Sequence, residues 1–250
     1  FDQPIYDMAY DLDGRLWAVT GGGQLLQLDP GTFAVLGSYG ESLTQALAVD
    51  PASGRLYVSS GDGIEIFDPL KLTFSHFSNT RVDDLAFAPD GELWATTWPR
   101  RGDIVTFDAK GRAKAQIHLD SAVDSIVFGK AGTALAGLMF VSSHAPIDDP
   151  AGSSLVMVDL ATLRRVEVAS GGPLAESLAI DSRGRVLVAN SRQVDVLMPL
   201  TPPAVVRTTP ADGVIVPLPL TSIQVVFDQD MDAGGSARAS SVLNPENYTL

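Results

Sequence analysis

The sequence predicts an all-β protein, a β-propeller built from four-stranded blades, and two observations carry this prediction. A segment with an apolar–Ala–apolar run, a glycine-containing turn and a second apolar run occurs five times, with a weaker fourth copy. The turn glycines, at positions 14, 54, 91, 132 and 184, lie about 40 residues apart except for one longer gap. Four short strands in a unit of about 40 residues are typical of a propeller blade, whereas a β-sandwich lacks this long period.

The first and second strands of each predicted blade flank the turn glycine, because glycine takes a positive φ without steric cost. The five copies are Met8–Val19, Leu47–Val58, Leu85–Thr96, Ile126–Leu135 and Leu178–Asn190.

Third strands are predicted where a short apolar run ends in an Asp, since Asp favours the start of a turn. They are Leu25–Leu28, Ile64–Phe67, Ile104–Phe107 and Leu155–Val158. Fourth strands follow at Phe33–Ser38, Leu72–Phe77, Ala113–Leu119 and Arg165–Ala169. The fifth copy shows no fourth strand, because prolines interrupt the sequence after Met198.

The runs LAVDPASGRLYVSS, LAFAPDGELWATT and LAIDSRGRVLVANS resemble the NHL, YVTN and YncE-like propellers over residues 5 to about 198. The resemblance implies the fold but no single activity, since this architecture hosts binding proteins, scaffolds and enzymes. Because only a short segment precedes the first copy, we expect further blades before Phe1, for six to eight in total; a five-bladed ring is the alternative.

The composition changes at Pro199, which predicts a propeller over residues 1–200 and a second domain over residues 201–250. Strands are predicted at Ala204–Arg207 and Ile223–Phe227. The TPADG motif at residues 209–213, Val216-Pro217 and Met231-Asp232 resemble the start of a bacterial Ig-like domain of S-layer and surface proteins. The resemblance implies an incomplete sandwich, with the rest of it and further Ig-like modules C-terminal in the parent chain.

Charge and composition exclude several classes of function. The 17 basic and 30 acidic side chains give a formal charge of −13, which argues against a nucleic-acid-binding surface. The sequence has no apolar run long enough for a transmembrane helix. Cysteine is absent, so disulfides, thiolate metal sites and cysteine nucleophiles are excluded. Because the sequence opens on Phe1, we interpret it as a piece of a longer chain.

The strongest candidate site is a column of residues placed just ahead of each predicted first strand. Three of its five members are acidic, and propeller geometry directs all of them to the mouth of the central channel. Convergent carboxylates bind hard cations, so Asp83, Asp124 and Glu176 are candidate ligands of Ca²⁺ or Mg²⁺. The alternative is a solvated acidic rim that accepts backbone N–H groups at the strand starts.

Two loops on the same face are further candidates. An insertion in the fourth blade, residues 138–153, carries His144, Asp148 and Asp149, which could bind a divalent metal or simply form a turn. Trp98 with Arg100 and Arg101 suits a carbohydrate, an anionic group or a protein partner. The alternative is a packed Trp98 whose neighbouring arginines pair with acids.

No motif for a serine nucleophile, a zinc protease, a phosphate loop or a dinucleotide site is present. We therefore expect a non-catalytic binding or scaffold region of a large exported bacterial surface protein, serving adhesion, assembly or partner display. The expected partner is a protein or carbohydrate, and no cofactor other than Ca²⁺ is implied. The alternatives are a metal-dependent lactonase or lyase that uses the acidic channel mouth, and a scaffold section of a secreted toxin.

Overall fold

Side-chain and backbone positions come from a computed structural model. It describes residues 4–21, 23–41, 45–99, 102–144, 153–172, 177–190, 193–198, 205–211, 213–215, 219 and 222–227. The chain divides into two compact units, Phe1–Pro199 and Leu200–Leu250.

The first unit contains five antiparallel sheets in chain order, which are the blades of a propeller. Blade 1 consists of β1 (Asp7–Tyr10), β2 (Leu16–Val19), β3 (Leu25–Leu28) and β4 (Val35–Tyr39). Blade 2 consists of β5 (Leu47–Val49), β6 (Leu56–Ser60), β7 (Gly63–Asp68) and β8 (Thr73–Ser78). Blade 3 consists of β9 (Val82–Phe87), β10 (Leu93–Thr97), β11 (Asp103–Phe107) and β12 (Ala113–His118).

The last two blades differ in their extent. Blade 4 has the longest strands: β13 (Ala122–Phe128), β14 (Leu138–His144), β15 (Ser153–Asp159) and β16 (Arg165–Gly172). Blade 5 has three strands within the described residues: β17 (Ser177–Ile180), β18 (Val186–Ala189) and β19 (Val194–Leu197). The predicted all-β propeller with five repeated units is therefore confirmed, and a total of six to eight blades stays a prediction.

The second unit contains one described sheet, formed by β20 (Val205–Thr209) and β21 (Gln224–Phe227). The two strands pair antiparallel, close to the positions that the sequence predicts. The Ig-like identity of this unit and its further modules stay predictions.

The predicted insertion of blade 4 needs a correction, because part of it is regular sheet. β14 and β15 pair residue by residue from Leu138–Asp159 to His144–Ser153. The described part of the predicted insertion is thus strand, and residues 145–152, which include Asp148 and Asp149, lie outside the described residues.

Aspartates fix the turns between strands. In the Asp-x-x-Gly-Arg turns that begin at Asp11, Asp108 and Asp181, the carboxylate accepts the N–H groups of the second and fourth residues that follow. The glycine of each turn has a φ between 72° and 79°, which explains why glycine recurs there. These hydrogen bonds and the adjoining arginine hold the pKa of Asp181 at about 2, against the effect of desolvation.

An aromatic side chain joins each blade to the next. The second strands place Trp17, Tyr57, Trp94 and Phe140 opposite a small or β-branched residue of the first strand in the same blade. Each ring packs against the first strand of the following blade: Tyr57 lies 5.1 Å from Phe87, and Trp94 lies 6.0 Å from Phe128, between ring centroids. The hydrophobic core is consequently a series of clusters between neighbouring blades.

Two of these rings form a matched pair for a stability test. The Nε1–H of Trp17 donates to Asp11 at 2.8 Å, whereas within the described part of the chain Nε1 of buried Trp94 has no hydrogen-bond partner. Removing one partner of a buried hydrogen bond costs about 1–3 kcal/mol. We expect Trp17→Phe to lower the free energy of unfolding by about 1–3 kcal/mol more than Trp94→Phe. Urea denaturation measures both values, and equal losses would contradict the proposed role of the Trp17–Asp11 bond.

Candidate functional site

The first strands of all five blades line one cavity of about 1150 Å³, the central channel. Each first strand runs from one face of the propeller to the other. The residues at its start therefore line one end of the channel, and the turn residues after it line the other end. One end is lined by the turn residues Pro51, Pro89 and Lys130. The other end, which we name the channel mouth, is lined by the starts of the first strands: Tyr6, Asp7, Gln45, Asp83, Asp84, Asp124 and Ser177.

Two irregularities in strand pairing bring neighbouring acidic residues to the mouth. The register shifts between the Thr96–Asp84 and Thr97–Val82 pairs, so Asp83 is an extra residue in β9. A similar shift in β13 leaves Asp124 and the following serine between two regular pairs. Consecutive side chains of a regular strand point to opposite faces, but a bulge changes their directions. Adjacent Asp83 and Asp84 can therefore both line the channel.

The structure corrects the predicted position of the acidic column. Asp83 and Asp124 lie inside β9 and β13 rather than ahead of them, because the bulges let these strands continue to the mouth. Both side chains are buried, at 6% and 8% exposure, so they are not a solvated rim. The structure brings the two residues to one cavity, while Glu176 lies outside the described residues.

In blades 1, 3 and 4, the side chain of the residue that follows the column residue bonds to the next blade. Oδ2 of Asp84 accepts the Ser125 hydroxyl at 2.7 Å and the Ile126 N–H at 2.8 Å, both from blade 4. Oδ2 of Asp7 likewise accepts the Leu47 N–H of blade 2 at 2.8 Å. We name this contact the clasp. In it, the side chain of the residue that follows the column residue in the sequence bonds to the first strand of the following blade.

Ser125 extends the clasp from blade 3 through to blade 5. Its Oγ donates to Asp84 and accepts the Leu178 N–H at 3.1 Å. Thr96 adds a parallel link, since its hydroxyl accepts the Asp84 N–H at 2.9 Å and donates to the Asp124 carbonyl at 3.2 Å. The corresponding residue of blade 2 is Ala46, which has no side-chain acceptor. The sequence analysis did not predict the role of Asp7 and Asp84 in joining blades.

The clasp aspartates are held in an environment that disfavours their charge. Burial, together with the nearby negative charge of Asp84, raises the pKa of Asp7 to about 8. Burial also raises the pKa of Asp84 to about 6, although hydrogen bonds from Ser125, Ile126 and Leu85 oppose the rise. The mouth therefore concentrates carboxyl groups that a cationic ligand would stabilise in their charged form.

A metal centre is not formed by the described residues alone. Within them, no three His, Asp or Glu side chains are arranged to hold a metal ion. Calcium binding at Asp83, Asp124 and Glu176 stays a prediction that depends on Glu176.

Trp98 is half-exposed beside a different arginine from those predicted. The Arg81 guanidinium carbon lies 6.0 Å from the centroid of the Trp98 ring, and the backbone N–H of Trp98 donates to the backbone carbonyl of Arg81 at 3.0 Å. Arg81 precedes β9 and Trp98 follows β10, so strand pairing brings them together although the sequence separates them. Arg100 and Arg101 lie outside the described residues.

The structure describes the side chains of two histidines, and each bonds an acidic residue of its own blade. His76 and His118 lie on the outer strands β8 and β12, as the sequence indicates, where Nδ1 bonds Glu65 and Asp103 respectively at 2.7 Å. His144 ends β14, opposite Ser153. Its predicted role as a ligand stays untested.

Comparisons with known proteins establish the fold. No protein-family model matches this sequence, and no curated protein matches it either. Among solved structures, it is similar to the extracellular domain of BT4673 from B. thetaiotaomicron, described as a one-component system (TM-score 0.56, 13% identity, 78% of this chain, 26% of that one). It is also similar to the extracellular domain of BT3049 from B. thetaiotaomicron, described as a hybrid two-component system (TM-score 0.54, 12% identity, 89% of this chain, 32% of that one).

A third similar structure is the β-propeller domain of Cps50 (Swd1) from Myceliophteria thermophila, with a TM-score of 0.52 and 13% identity. The match covers 78% of this chain and 70% of that domain. The chain thus spans about a quarter to a third of the two bacterial structures. At these identities the similarity shows the propeller fold alone.

The raised pKa of Asp7 predicts that stability falls as the pH rises. The carboxyl of Asp7 titrates near 3.8 when unperturbed and at about 8 in the fold, so the folded state binds more protons between these values. Folding is favoured most below about pH 4, and this contribution is lost as the pH approaches about 8.

We expect Asp7→Asn, which keeps the side chain neutral, to make the free energy of unfolding less dependent on pH between about pH 5 and about pH 9. Urea denaturation at both pH values measures the difference between the two proteins. His76 also has a raised pKa, through its hydrogen bond to Glu65, and is common to both proteins. The pKa of Asp84 is raised as well, and because its charge repels that of Asp7, the variant reports the titration of this pair rather than of Asp7 alone. An unchanged pH dependence in the variant would contradict the assignment.

Proposed function

We propose that this chain is a non-catalytic binding region of an exported protein, with the channel mouth as its recognition site. The observation that carries the proposal is the convergence of Asp7, Asp83, Asp84 and Asp124 on one end of a cavity of about 1150 Å³. A concave site with a few convergent polar groups is the usual form of a ligand pocket.

The extracellular domains among the similar structures support the location outside the cell. Within the described residues, no helix is long and apolar enough to cross a membrane. Adhesion, assembly and partner display are all compatible with a binding face of this kind, and bacterial surface exposure stays part of the proposal.

The chemistry of the mouth favours a cationic ligand. Asp7 and Asp84 accept hydrogen bonds from backbone amides and a hydroxyl, and each has a raised pKa because burial and a neighbouring carboxyl disfavour its charge. A lysine or arginine side chain of a protein partner would relieve this repulsion. A Ca²⁺ ion would do the same only if Glu176 completes its ligand set.

The test compares charge-matched variants in a binding measurement. Isothermal titration at about 0.15 M salt uses an oligolysine hexapeptide as the probe, with CaCl₂ titrated separately. We expect the wild type to bind the peptide, and the Asp83→Asn/Asp124→Asn double variant to bind it at least tenfold more weakly. Glu167→Gln/Asp90→Asn, which removes two exposed charges away from the mouth, is the matched control and should bind like the wild type.

The control distinguishes binding at the channel mouth from the nonspecific attraction of a cationic peptide to a chain with a net charge of −13. Equal weakening in both double variants would overturn the proposal, because binding would then follow total charge. Calcium binding lost in Glu176→Gln but retained in Glu167→Gln would support the metal ion as the ligand instead.

A further inference from the structure

Blades 1 and 3 each carry a tryptophan at the same place in the second strand. Trp17 pairs with Ala9 of the first strand of blade 1. Trp94 pairs with Ala86 of the first strand of blade 3. Both tryptophans are buried, at 0% and 7% exposure, and both belong to a cluster shared with the following blade. The two indole groups therefore occupy equivalent places in the fold, and their hydrogen bonds can be compared directly.

The turns that precede these two strands also match in their backbone hydrogen bonds. In blade 1 the Asp11 N–H donates to the Arg15 carbonyl at 2.9 Å. In blade 3 the Ala88 N–H donates to the Glu92 carbonyl, also at 2.9 Å. In each turn, the N–H of the turn glycine then donates to the carbonyl of the first residue, at 3.0 Å in blade 1 and 2.9 Å in blade 3. Ala88 thus stands where blade 1 has Asp11.

This single difference between the blades removes the acceptor of the tryptophan. In blade 1, Oδ2 of Asp11 accepts the Nε1–H of Trp17 at 2.8 Å. The methyl group of Ala88 cannot accept a hydrogen bond, and buried Nε1 of Trp94 has no partner among the residues that the structure describes. Buried donors without an acceptor are costly and therefore rare in folded proteins. Trp94 is a donor for which blade 3 supplies no acceptor.

The Trp94 donor lies beside one end of the central channel. The turn end of the channel is the end lined by Pro51, Pro89 and Lys130. Ala88 lines the cavity and packs in the same cluster as Trp94. Phe128 of blade 4 also lines the cavity, and its ring centroid lies 6.0 Å from that of Trp94. A ligand in the turn end would therefore contact apolar side chains close to one unsatisfied N–H group.

The turn of blade 3 disfavours a negatively charged acceptor. In blade 1 the carboxylate of Asp11 is accompanied by a cation, since Nε of Arg15 donates to it at 2.7 Å. At the place of Arg15, blade 3 has Glu92, which is exposed, as is the neighbouring Asp90. A carboxylate beside Trp94 would thus meet like charges of its own turn instead of an arginine.

We propose that the turn end of the channel, between blades 3 and 4, binds an uncharged apolar ligand whose carbonyl oxygen accepts the Trp94 Nε1–H. An uncharged ligand fits best because Lys130 of blade 4 faces two acidic side chains in the turn of blade 3. Aromatic and proline side chains line this end and suit a flat apolar group: Pro51, Phe87, Pro89 and Phe128. The site lies at the opposite end from the channel mouth and does not depend on the carboxyl groups there.

Three probes of nearly the same shape test the proposal by NMR of the indole N–H groups in the 250-residue chain. Benzamide carries an uncharged carbonyl, benzoate a carboxylate, and benzamidinium only N–H donors. We expect benzamide to move the Trp94 indole signal downfield, as hydrogen bonding does. The Trp17 signal is the internal control and should not move, because its N–H is already bonded to Asp11. A Trp94 signal that does not respond to benzamide, or that responds more strongly to benzoate or benzamidinium, would overturn the proposal.

Two variants test the assignment to Trp94, with benzamide affinity measured by ligand-observed NMR. Ala88→Asp/Glu92→Arg copies the turn of blade 1 into blade 3, so the new carboxylate should take the Trp94 N–H. Trp94→Phe keeps an apolar ring and removes the donor. Each should bind benzamide about tenfold more weakly, the effect of losing one buried hydrogen bond.

Glu167→Gln is the matched control, because it changes the net charge as the double variant does, at an exposed position of blade 4. It should bind benzamide like the wild type. Circular dichroism confirms that the variants fold, and Trp94→Phe provides the test if the double variant does not. Benzamide affinity that is unchanged in Trp94→Phe, or that falls equally in Glu167→Gln, would overturn the proposal.

Discussion

The interface between successive blades is the contact on which the rest of the structure depends. No single blade can bury its own apolar surface, since the aromatic side chain of its second strand points away from its own sheet and packs on the next one. Repeat proteins of this kind gain stability from neighbouring units rather than from one central core. At three of these interfaces, the side chains of Asp7, Asp84 and Ser125 accept backbone N–H groups of the following blade near the axis.

The same geometry gives the molecule its candidate site. A carboxyl that reaches the following blade must lie near the axis, where it is shielded from water and close to its counterparts. Burial raises the pKa of Asp7 and Asp84, so the residues that join the blades also lie at the site for which we propose cation binding. Bulges in β9 and β13 then add Asp83 and Asp124 to this surface. A ligand at the mouth would therefore also influence how firmly the blades are joined.

The sequence predicts the fold well because its signals are local. Asp-x-x-Gly-Arg turns and the runs ending in Asp fix hairpins within a few residues, so third and fourth strands such as Ile64–Phe67 and Leu72–Phe77 lie within one or two residues of β7 and β8. The features that the sequence did not predict depend on contacts over longer distances. The partnership of Arg81 with Trp98 follows from strand pairing, and the clasp joins residues about 40 positions apart. Bulges also lack a sequence signal here, because Asp83 has no glycine or proline beside it.

Native-state hydrogen exchange of individual amides tests the central role of the clasp most directly. The amides of Leu47, Ile126 and Leu178 donate across blade boundaries, whereas those of Met8 and Leu85 donate to the preceding Asp of their own blade. If the clasp holds the blades together, the first three should exchange only through global unfolding, with one shared free energy of opening, and more slowly than Met8 and Leu85. Exchange of the three amides through separate low-energy openings, at rates like those of Met8 and Leu85, would contradict the account.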